Sequence, residues 1–412
     1  MTNKHILIVG GMHFMHRFVQ ELPGVKTSLI NRCGKITASD GRRNHCILGL
    51  DGPAEQWVAM AETLHRLDPI THIAAFDDLS QDRAALIAAA LDLPFHSPQT
   101  VHAIQNKRAM RRRLAECGLD QTATMEVGRV EDIWDFAAQH GLPAILKPVD
   151  GRGSTAISRI ATPEDIAPAF ERSRSESDRD QLLIETMLLG EEFSVEAFSE
   201  DGEHEILAIT RKYKDPDTFV EVGHQMPALL PAATQAAIQA FVPRMLGALG
   251  VRNGPTHTEL MVTAAGVAVI ETHLRPGGDF IPEMVRDACG VDMLSLAARQ
   301  AAGEQVMPAI RDLLGRRAEP QRYAAVWFRT DHVHGRLMEI RGADEAGAGE
   351  GVAQVVLVQE PGADLRPAQN SFERIALARA VGATPDEALQ RARQAAARLD
   401  IVVTLREAAT DA

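Results

Sequence analysis

The sequence predicts a parallel α/β domain at the start of the chain, then a longer α+β region, and a small α+β lobe at the end. Strands and helices alternate over about residues 1–100, which is typical of a parallel sheet. Residues 120–300 combine helices with strands joined by short turns, and the pattern changes again from about residue 320. The 412 residues, 45% of them hydrophobic, are enough for about two or three domains, each with its own core.

The composition argues against several classes of protein. The net charge of −13 disfavours a nucleic acid partner, because such partners require a basic face. None of the four cysteines forms a C-x-x-C pair, so neither a zinc ribbon nor a disulfide framework is indicated. No apolar run reaches the roughly 20 residues that cross a bilayer, and the apolar run at the start is too short for a signal peptide. We therefore expect a cytoplasmic protein with no membrane partner.

Two apolar runs predict buried strands in the first domain. They are "HILIVGG" (5–11), which ends in glycines, and "THIAAFDD" (71–78), which ends in two aspartates. Ser80 then stands as the N-cap of the helical pattern "SQDRAALIAAALDL". The glycines after the first strand form a tight turn or approach a ligand, but "GGMHFM" does not match G-x-G-x-x-G, so no dinucleotide is implied.

The middle of the chain begins with two helices, near 107–117 and 130–140. "AILKPVDGRGSTAISRI" (144–160) then predicts a strand, a glycine loop and a second strand, and "TPED" begins another helix. The charged stretch "ERSRSESDRD" predicts a surface turn. "QLLIETML", "EEFSVEAFS" and "EILAITRKY" predict strands, and Asp201-Gly202 predicts a hairpin turn between the last two.

The end of the chain carries three more predicted strands, "YAAVWFR", "VAQVVLVQ" and "IVVTL". The stretch "GADEAGAGEG" between the first two is typical of a loose linker. Thr384 and Glu387 form a capping box that opens a helix to about Leu399.

Lys147 is a candidate phosphate ligand. It ends an apolar strand and precedes a loop that contains Gly153 and Ser154. Glycines let backbone N–H groups converge on phosphate oxygens, and a lysine adds positive charge. The loop lacks the G-K-[ST] of a Walker A motif. A solvated lysine beside a hairpin turn gives the same pattern.

Acidic residues recur along the next two strands. Glu185 ends the first strand, while Glu192 opens the second and Glu196 lies four residues further on. Alternating acids along a strand are typical of a solvated face. A segment that binds a nucleotide base through its backbone, with an acid on the ribose, has the same pattern.

The stretch "THTELMVTAAGVAVIETHLRPGGDF" predicts a hairpin with an unusual polar face. A three-residue loop at 264–266 pairs Thr263 with Val267, and Glu259 then lies opposite Glu271. Two like charges directly opposite are destabilising, and a divalent cation between them removes the conflict. A solvated acidic pair is the alternative, although the strands are otherwise apolar.

Two histidine pairs are weaker candidates for metal binding. His13 and His16 flank an apolar pair of residues, and His332 and His334 share one strand face. Neither pair has a third ligand that the sequence identifies.

In their order along the chain, these segments resemble the ATP-grasp superfamily of carboxylate–amine ligases. The resemblance rests on a lysine at 107, strand-borne Lys147 with its glycine loop, "IETMLLGEEFSVE", "TEL" and "ETHLRPGG", and it covers nearly the whole chain. It implies an N-terminal α/β domain, a central two-lobed ATP-grasp region and a small C-terminal α+β lobe. We therefore expect domains at 1–100, 101–315 and 316–412, with a small nucleotide-clamping lobe at about 122–186.

The resemblance implies a nucleotide site for ATP. Lys107 and Lys147 would contact the phosphates together with the loop. Glu185 and the backbone near Met187 would hold the adenine, and Glu192 the ribose.

The same resemblance implies a metal and catalytic site. Glu259 and Glu271 would bind magnesium, or manganese in its place, and His273 stands where many members of the superfamily have asparagine. Imidazole suits softer metals than an amide oxygen does, so His273 either binds the ion directly or orients it through a water molecule. Arg275 and Gly278 would face the transferred phosphoryl group and the tetrahedral intermediate.

A closer resemblance is to bacterial L-amino acid ligases that make dipeptides, and to dapdiamide synthase-like enzymes of antibiotic biosynthesis. It rests on "EVGHQMPA", in which Glu221 and His224 match positions that hold the amino acid in that group. An ordinary polar loop is the other interpretation of this segment. Gly277 would let backbone amides approach the substrate, and Asp279 would bind an amino group.

The resemblance implies an ADP-forming ligase that joins a small carboxylic acid to an amine through an acyl phosphate. Its partners would be small molecules and a second copy of the chain in a homodimer. A biotin-dependent type of carboxylase is one alternative, but the chain contains no biotinyl domain. A regulatory protein that binds ATP without turnover is the other.

Overall fold

A computed structural model describes residues 4–149, 156–175, 181–316, 322–330 and 334–404. The glycine loop with Gly153 and Ser154 lies outside these residues, as does His332. The described strands are β1 Lys4–Val9, β2 Val25–Asn31, β3 Cys46–Gly49, β4 His72–Ala74, β5 Thr124–Val127, β6 Ala144–Pro148, β7 Ser158–Ile160, β8 Leu182–Thr186, β9 Gly190–Glu200, β10 Glu203–Lys214, β11 Glu221–Met226, β12 Gly254–Thr263, β13 Gly266–His273, β14 Tyr323–Arg329, β15 Gly335–Arg341, β16 Val352–Leu357, β17 Asp364–Leu365, β18 Ala376–Gly382 and β19 Asp400–Thr404.

The described α-helices lie between these strands and cover the faces of the sheets. They are α1 His13–Gln20, α2 Asp40–Arg43, α3 Ala54–Leu67, α4 Gln81–Leu91, α5 Pro98–Gln105, α6 Lys107–Glu116, α7 Val130–His140, α8 Ile166–Ser175, α9 Ala232–Ala248, α10 Ile281–Cys289, α11 Met293–Ala301, α12 Met307–Gly315, α13 Ala343–Gly347 and α14 Pro385–Ala397. Among the described helices, none combines the length and the apolar composition that crossing a bilayer requires.

The first sheet is parallel, with the strand order β3-β2-β1-β4, and this confirms the predicted α/β start of the chain. Residues 6–9 of β1 are all fully buried, because helices cover both faces of a parallel sheet. The sequence pattern did not predict β2, whose apolar run is interrupted by polar residues, or β3, which has only four residues. Ser80 precedes α4 as predicted, but its hydroxyl donates to Asp77 instead of accepting from the helix.

A second, antiparallel sheet has the order β5-β8-β6-β7 and lies within the predicted small lobe. Helix α8 continues to Ser175, so the first half of the stretch predicted to be a surface turn is helical. The second half of that stretch, 176–180, lies outside the described residues.

The third sheet is antiparallel and has eight strands, in the order β13-β12-β9-β10-β11-β14-β18-β16. It runs across the predicted boundary near residue 315, because β14 pairs with β11 on one side and β18 on the other. A fourth sheet has the order β17-β15-β19, and its residues Ile340 and Ile401 pack against a cluster that contains Ala376 and Ala378 of β18. Within the predicted linker 342–351, residues 343–347 form the short helix α13.

One hydrophobic core joins the first sheet to the eight-stranded sheet. It contains Ile6 and Ile8 of β1, Phe198 of β9, and Met284 of α10, all of them buried. The core holds the carboxyl edge of the parallel sheet beside the end of β13, where Gln81 donates a hydrogen bond to the carbonyl of Leu274. Side chains from the two sheets therefore meet at one place.

Candidate active site

The β12–β13 hairpin pairs Glu259 with Glu271, as the sequence predicts, but by a different route. The predicted three-residue loop is wrong: the turn has two residues, so Thr263 pairs with Gly266. A bulge then adds Ile270 to β13 between the pairs Leu260–Val269 and Glu259–Glu271. The two departures cancel, and the glutamates still lie opposite each other on one face.

Each of these glutamates has its own lysine. Lys212 Nζ lies 2.6 Å from Glu259 Oε1, and Lys107 Nζ lies 3.0 Å from Glu271 Oε2. Burial alone would raise the pKa of both carboxyl groups, but the lysines hold each pKa well below its ordinary value. The charge of Glu259 in turn raises the pKa of Glu271, so the two carboxylates interact.

Each of the two glutamates also contacts a histidine of its own strand. His257 and His273 are also paired across the hairpin, with ring centroids 6.1 Å apart. His257 lies between Glu196, at 2.6 Å, and Glu259, at 3.4 Å. Burial by itself lowers the pKa of His257, but these carboxylates raise it to about 9.

His273 has the same arrangement on the other strand. Its Nε2 lies 3.2 Å from Glu271 Oε1, and its Nδ1 lies 3.2 Å from Asp78 Oδ1 at the edge of the parallel sheet. Both ring nitrogens are therefore within hydrogen-bond distance of carboxylates. With these two contacts, His273 links Glu271 to Asp78 and can orient the Glu271 carboxylate.

The carboxylates fit a magnesium ion. Carboxylate oxygens are hard donors, and two of them on one face repel each other unless a cation lies between them or beside them. Here Lys212 and Lys107 supply that positive charge to Glu259 and Glu271. Both glutamate side chains line one cavity.

Lys147 and Glu185 form a buried ion pair of 2.5 Å. Arg111 Nε lies 2.9 Å from the other oxygen of Glu185, whose pKa burial would raise but the two cations lower to about 2. The N–H of Met187 donates to the carbonyl of Pro143. An adenine contact here would therefore fall to other backbone groups of this segment.

A second lysine on β10 extends the charged network. Lys214 Nζ lies 2.7 Å from Glu192 Oε1, and Lys212 also contacts Glu192 and Glu221, each at 3.2 Å. Burial would raise the pKa of Glu221, but the lysines lower it to about 2. The two lysines in "TRKYK" are two residues apart, so the sequence alone places them on one face of a strand. It does not show which strand lies next to them.

Arg275 and the two glycines after it lie at the end of β13. Arg275 Nε donates to Asp78 Oδ2 at 2.7 Å and its Nη1 donates to the carbonyl of Pro276 at 3.0 Å, and the side chain lines the cavity described below. A Cβ atom at Gly277 would lie 2.9 Å from His257 Nδ1, so only glycine fits there without displacement. Gly278 has open space beside it.

Asp279 is engaged by three donors. Arg374 binds it with two nitrogens, at 2.8 and 2.6 Å, and His224 Nε2 lies 3.2 Å away. Arg374 in turn stacks on the ring of Phe328, 3.8 Å from the centroid. The predicted contact between Asp279 and an amino group would therefore compete with Arg374, a residue that the sequence pattern does not single out.

One cavity of about 280 Å³ brings most of the predicted site residues together. The residues that line it include Lys107, Lys147, Glu221, His224, Glu259, Glu271, His273, Arg275, Gly278 and Asp279. Glu185, Met187, Glu192 and Gly277 lie outside this lining, although Glu185 and Glu192 contact lysines that belong to it. A neighbouring cavity of about 540 Å³ shares Lys107, Glu271 and His273. Glu271 thus lines both cavities, whereas Glu259 lines the smaller one.

Comparison with known proteins finds two matching domain families and a similar fold. A model of the ATP-grasp domain matches residues 140–283, and a model described as L-amino acid ligase C-terminal domain 2 matches residues 328–404. The crystal structure of an L-amino acid ligase from Bacillus licheniformis superimposes with a TM-score of 0.82 at 22% identity, over 98% of this chain and 100% of that one.

Two curated relatives match a smaller share of both chains than this structure does. The uncharacterized protein y4rH of Sinorhizobium fredii is 28% identical over 74% of this chain and 63% of its own length. Dapdiamide A synthase of Enterobacter agglomerans is 25% identical over 51% of each chain. The chain thus spans less than two thirds of both relatives. Together, the comparisons show that residues 140–283 match the ATP-grasp domain, that residues 328–404 match the C-terminal domain 2 of L-amino acid ligases, and that the chain has the fold of an L-amino acid ligase structure.

Proposed function

We propose that the chain is an ADP-forming ligase that joins the carboxylate of an amino acid, or of a related small acid, to the amine of an amino acid. One observation carries the proposal: Glu259 and Glu271 face one cavity that is also lined by Lys107, Lys147 and Arg275. This set combines metal ligands, phosphate-binding cations and an anion-stabilising guanidinium around one space. The similarity to L-amino acid ligases and dapdiamide A synthase supports the choice of amino acid substrates.

The nucleotide would lie with its phosphates between the lysines and the glutamate pair. Glu259 and Glu271 would hold magnesium, with manganese as a substitute, and bound magnesium neutralises charge on the phosphates. Lys107 and Lys147 would move from their present carboxylate partners to phosphate oxygens. Positioning and charge stabilisation are the main contributions of a protein to phosphoryl transfer, and these residues supply both.

The reaction would proceed in two steps. A carboxylate oxygen of the first substrate attacks the γ-phosphorus of ATP, and the bond between that phosphorus and the bridging oxygen breaks, which gives an acyl phosphate and ADP. The amine nitrogen of the second substrate then attacks the acyl carbon and loses a proton, and phosphate leaves. Arg275 and the backbone N–H of Gly278 would stabilise the oxyanion that forms in the second step.

The amino acid would bind at the end of the cavity formed by β11 and the C-terminal lobe. His224 and Glu221 project there from β11, and Ser371 Oγ donates to Glu221 Oε2 at 2.9 Å. Because Arg374 occupies the carboxylate of Asp279, we propose that Asp279 orients His224 and does not bind the amino group itself.

The experiment is a matrix of amino acid pairs with ATP and magnesium, with ADP and phosphate measured in each well and products identified by mass. We expect some pairs to release ADP and phosphate in a 1:1 ratio with a condensed product. AMP and pyrophosphate as the products would contradict the acyl-phosphate route. Wells with bicarbonate alone test the carboxylase alternative. If the chain binds ATP but no well shows turnover, the result would favour a regulatory role.

A further inference from the structure

Three side chains of types that bind metals lie close together outside the cavity, at the carboxyl edge of the parallel sheet. His13 and His16 lie on α1, and Asp40 begins α2. One ligand atom from each residue lies within 4.8 Å of the other two, and His13 Nε2 is 3.1 Å from Asp40 Oδ2. The sequence shows the two histidines but no third ligand, and the fold supplies it from 27 residues beyond His13.

His16 has the hydrogen bonding of a metal ligand. Its side chain is 1% exposed, and Nε2 lies 2.7 Å from the carbonyl of Gly11, to which it donates. Nδ1 then carries the lone pair, and this buried atom has no hydrogen-bond partner among the described residues. Leaving a buried acceptor unpaired is unfavourable, whereas a metal-bound histidine commonly donates its other N–H to a carbonyl.

Asp40 is held in place by its neighbours. Its Oδ2 accepts hydrogen bonds from the backbone N–H of Thr37 at 2.7 Å and from the Thr37 hydroxyl at 2.9 Å. His13 is the accessible member, with 36% of its side chain exposed. A plain hydrogen bond between His13 and Asp40 would join the two helices, but it leaves His16 Nδ1 without a partner.

We propose that His13, His16 and Asp40 bind a divalent ion of the zinc type, with water in the remaining positions. Two imidazoles and one carboxylate suit zinc and its neighbours in the first transition row, whereas the oxygen-rich glutamate pair suits magnesium. The separation of 3.1 Å between His13 Nε2 and Asp40 Oδ2 is close to the roughly 3.3 Å between two ligands of a tetrahedral zinc ion with bonds of about 2.0–2.1 Å. The ion would fasten α2 to the start of α1.

The test measures binding of cobalt and zinc to the full chain in excess magnesium, which occupies oxygen-donor sites. We expect one cobalt ion per chain with a visible absorption spectrum, displaced by zinc, and a rise in melting temperature. His13→Gln should weaken cobalt binding by at least about 10–100-fold. His140→Gln, a change at an exposed histidine on α7, should leave it unchanged.

Two further variants keep the result interpretable. Asp40→Asn, which preserves shape, should also lose cobalt while retaining the wild-type circular dichroism. Glu271→Gln should retain the ion, which separates this site from the proposed magnesium site and from ligase activity. The proposal is overturned if the wild-type chain takes up no cobalt, or if His13→Gln binds it as tightly as the wild type.

Discussion

Glu259 and Glu271 lie opposite each other across the β12–β13 hairpin, and each carboxylate is held by a lysine from a different part of the chain. Lys212 comes from β10 and Lys107 from the start of α6. The acidic pair is therefore already neutralised by cations that could exchange partners with a nucleotide and its metal.

Glu271→Gln should raise the magnesium concentration needed for half-maximal turnover by at least about 10–100-fold, because it removes a charged oxygen donor. The measurement is a magnesium titration of ADP release. Glu191→Gln on β9 is the matched control, since that side chain is 65% exposed and pairs with Arg211 at the surface. An unchanged magnesium requirement in Glu271→Gln would remove this residue from the metal site.

Arg275→Ala should lower kcat by about 10²–10³-fold, the cost of one oxyanion-stabilising donor. Binding of ATP should persist, because Lys107 and Lys147 remain. Arg275→Lys should not restore the rate fully, since an ammonium cannot present the planar fork of a guanidinium. The measurements are steady-state kinetics and nucleotide binding by calorimetry. Near-normal turnover of Arg275→Ala would contradict the assigned role.

Asp78→Asn should lower kcat by less than Arg275→Ala does and leave the KM for ATP nearly unchanged. Asp78 positions Arg275 and His273, which it contacts at 2.7 and 3.2 Å. Its effect should therefore shrink in an Arg275→Ala background, as coupled residues do in a double-mutant cycle. Fully additive effects of the two changes would show that Asp78 acts independently.

His224→Gln should raise the KM for the amine substrate by about tenfold or more, which is the range for losing one hydrogen bond to a charged group. The KM for ATP should stay the same, because the side-chain contact of His224 is with Asp279, a residue outside the proposed nucleotide site. Kinetics with each substrate varied in turn will separate the two values. His140→Gln serves as the control, and a shared rise in both KM values would indicate a general structural effect.

Glu185 should make stability depend on acid pH. Its pKa is about 2 in the folded chain against an ordinary value of 4.5, so unfolding takes up a proton between these values. The contribution is complete above about pH 4.5 and is lost as the pH falls towards 2, on the order of 3 kcal/mol in total. Urea unfolding between pH 5 and pH 3 measures it.

Two variants isolate that contribution. Glu185→Gln should be less stable at pH 5 and should show a shallower fall in the free energy of unfolding below pH 4.5. Glu131→Gln on the exposed face of α7 should retain the wild-type profile. If Glu185→Gln and the wild type lose stability in parallel, the ion pair with Lys147 does not hold the carboxyl group ionised.

The sequence predicted those parts of the site that depend on local periodicity. The predicted hairpin was enough to place Glu259 opposite Glu271, and His273 follows Glu271 by two residues and therefore lies on the same face of β13. Residues that reach the site from distant segments, such as Lys212 and Arg374, could not be predicted, because strand order is not written in any local pattern. The turn was predicted with the wrong length and the bulge at Ile270 was not predicted, because Gly266 after two alanines is typical of a three-residue loop and no glycine marks the bulge.

The eight-stranded sheet contains strands from both sides of residue 315, which limits where the chain can be shortened. Because β14 completes the edge of β11, a chain cut before residue 323 would present an unsatisfied row of backbone donors and acceptors, which invites aggregation. The C-terminal lobe is thus not a detachable module. The segment that carries Ser371 and Arg374, by contrast, connects β17 to β18 and adds no strand of its own to that sheet. Under the proposed function, we expect substitutions there to change which amine is accepted while the eight-stranded sheet stays intact.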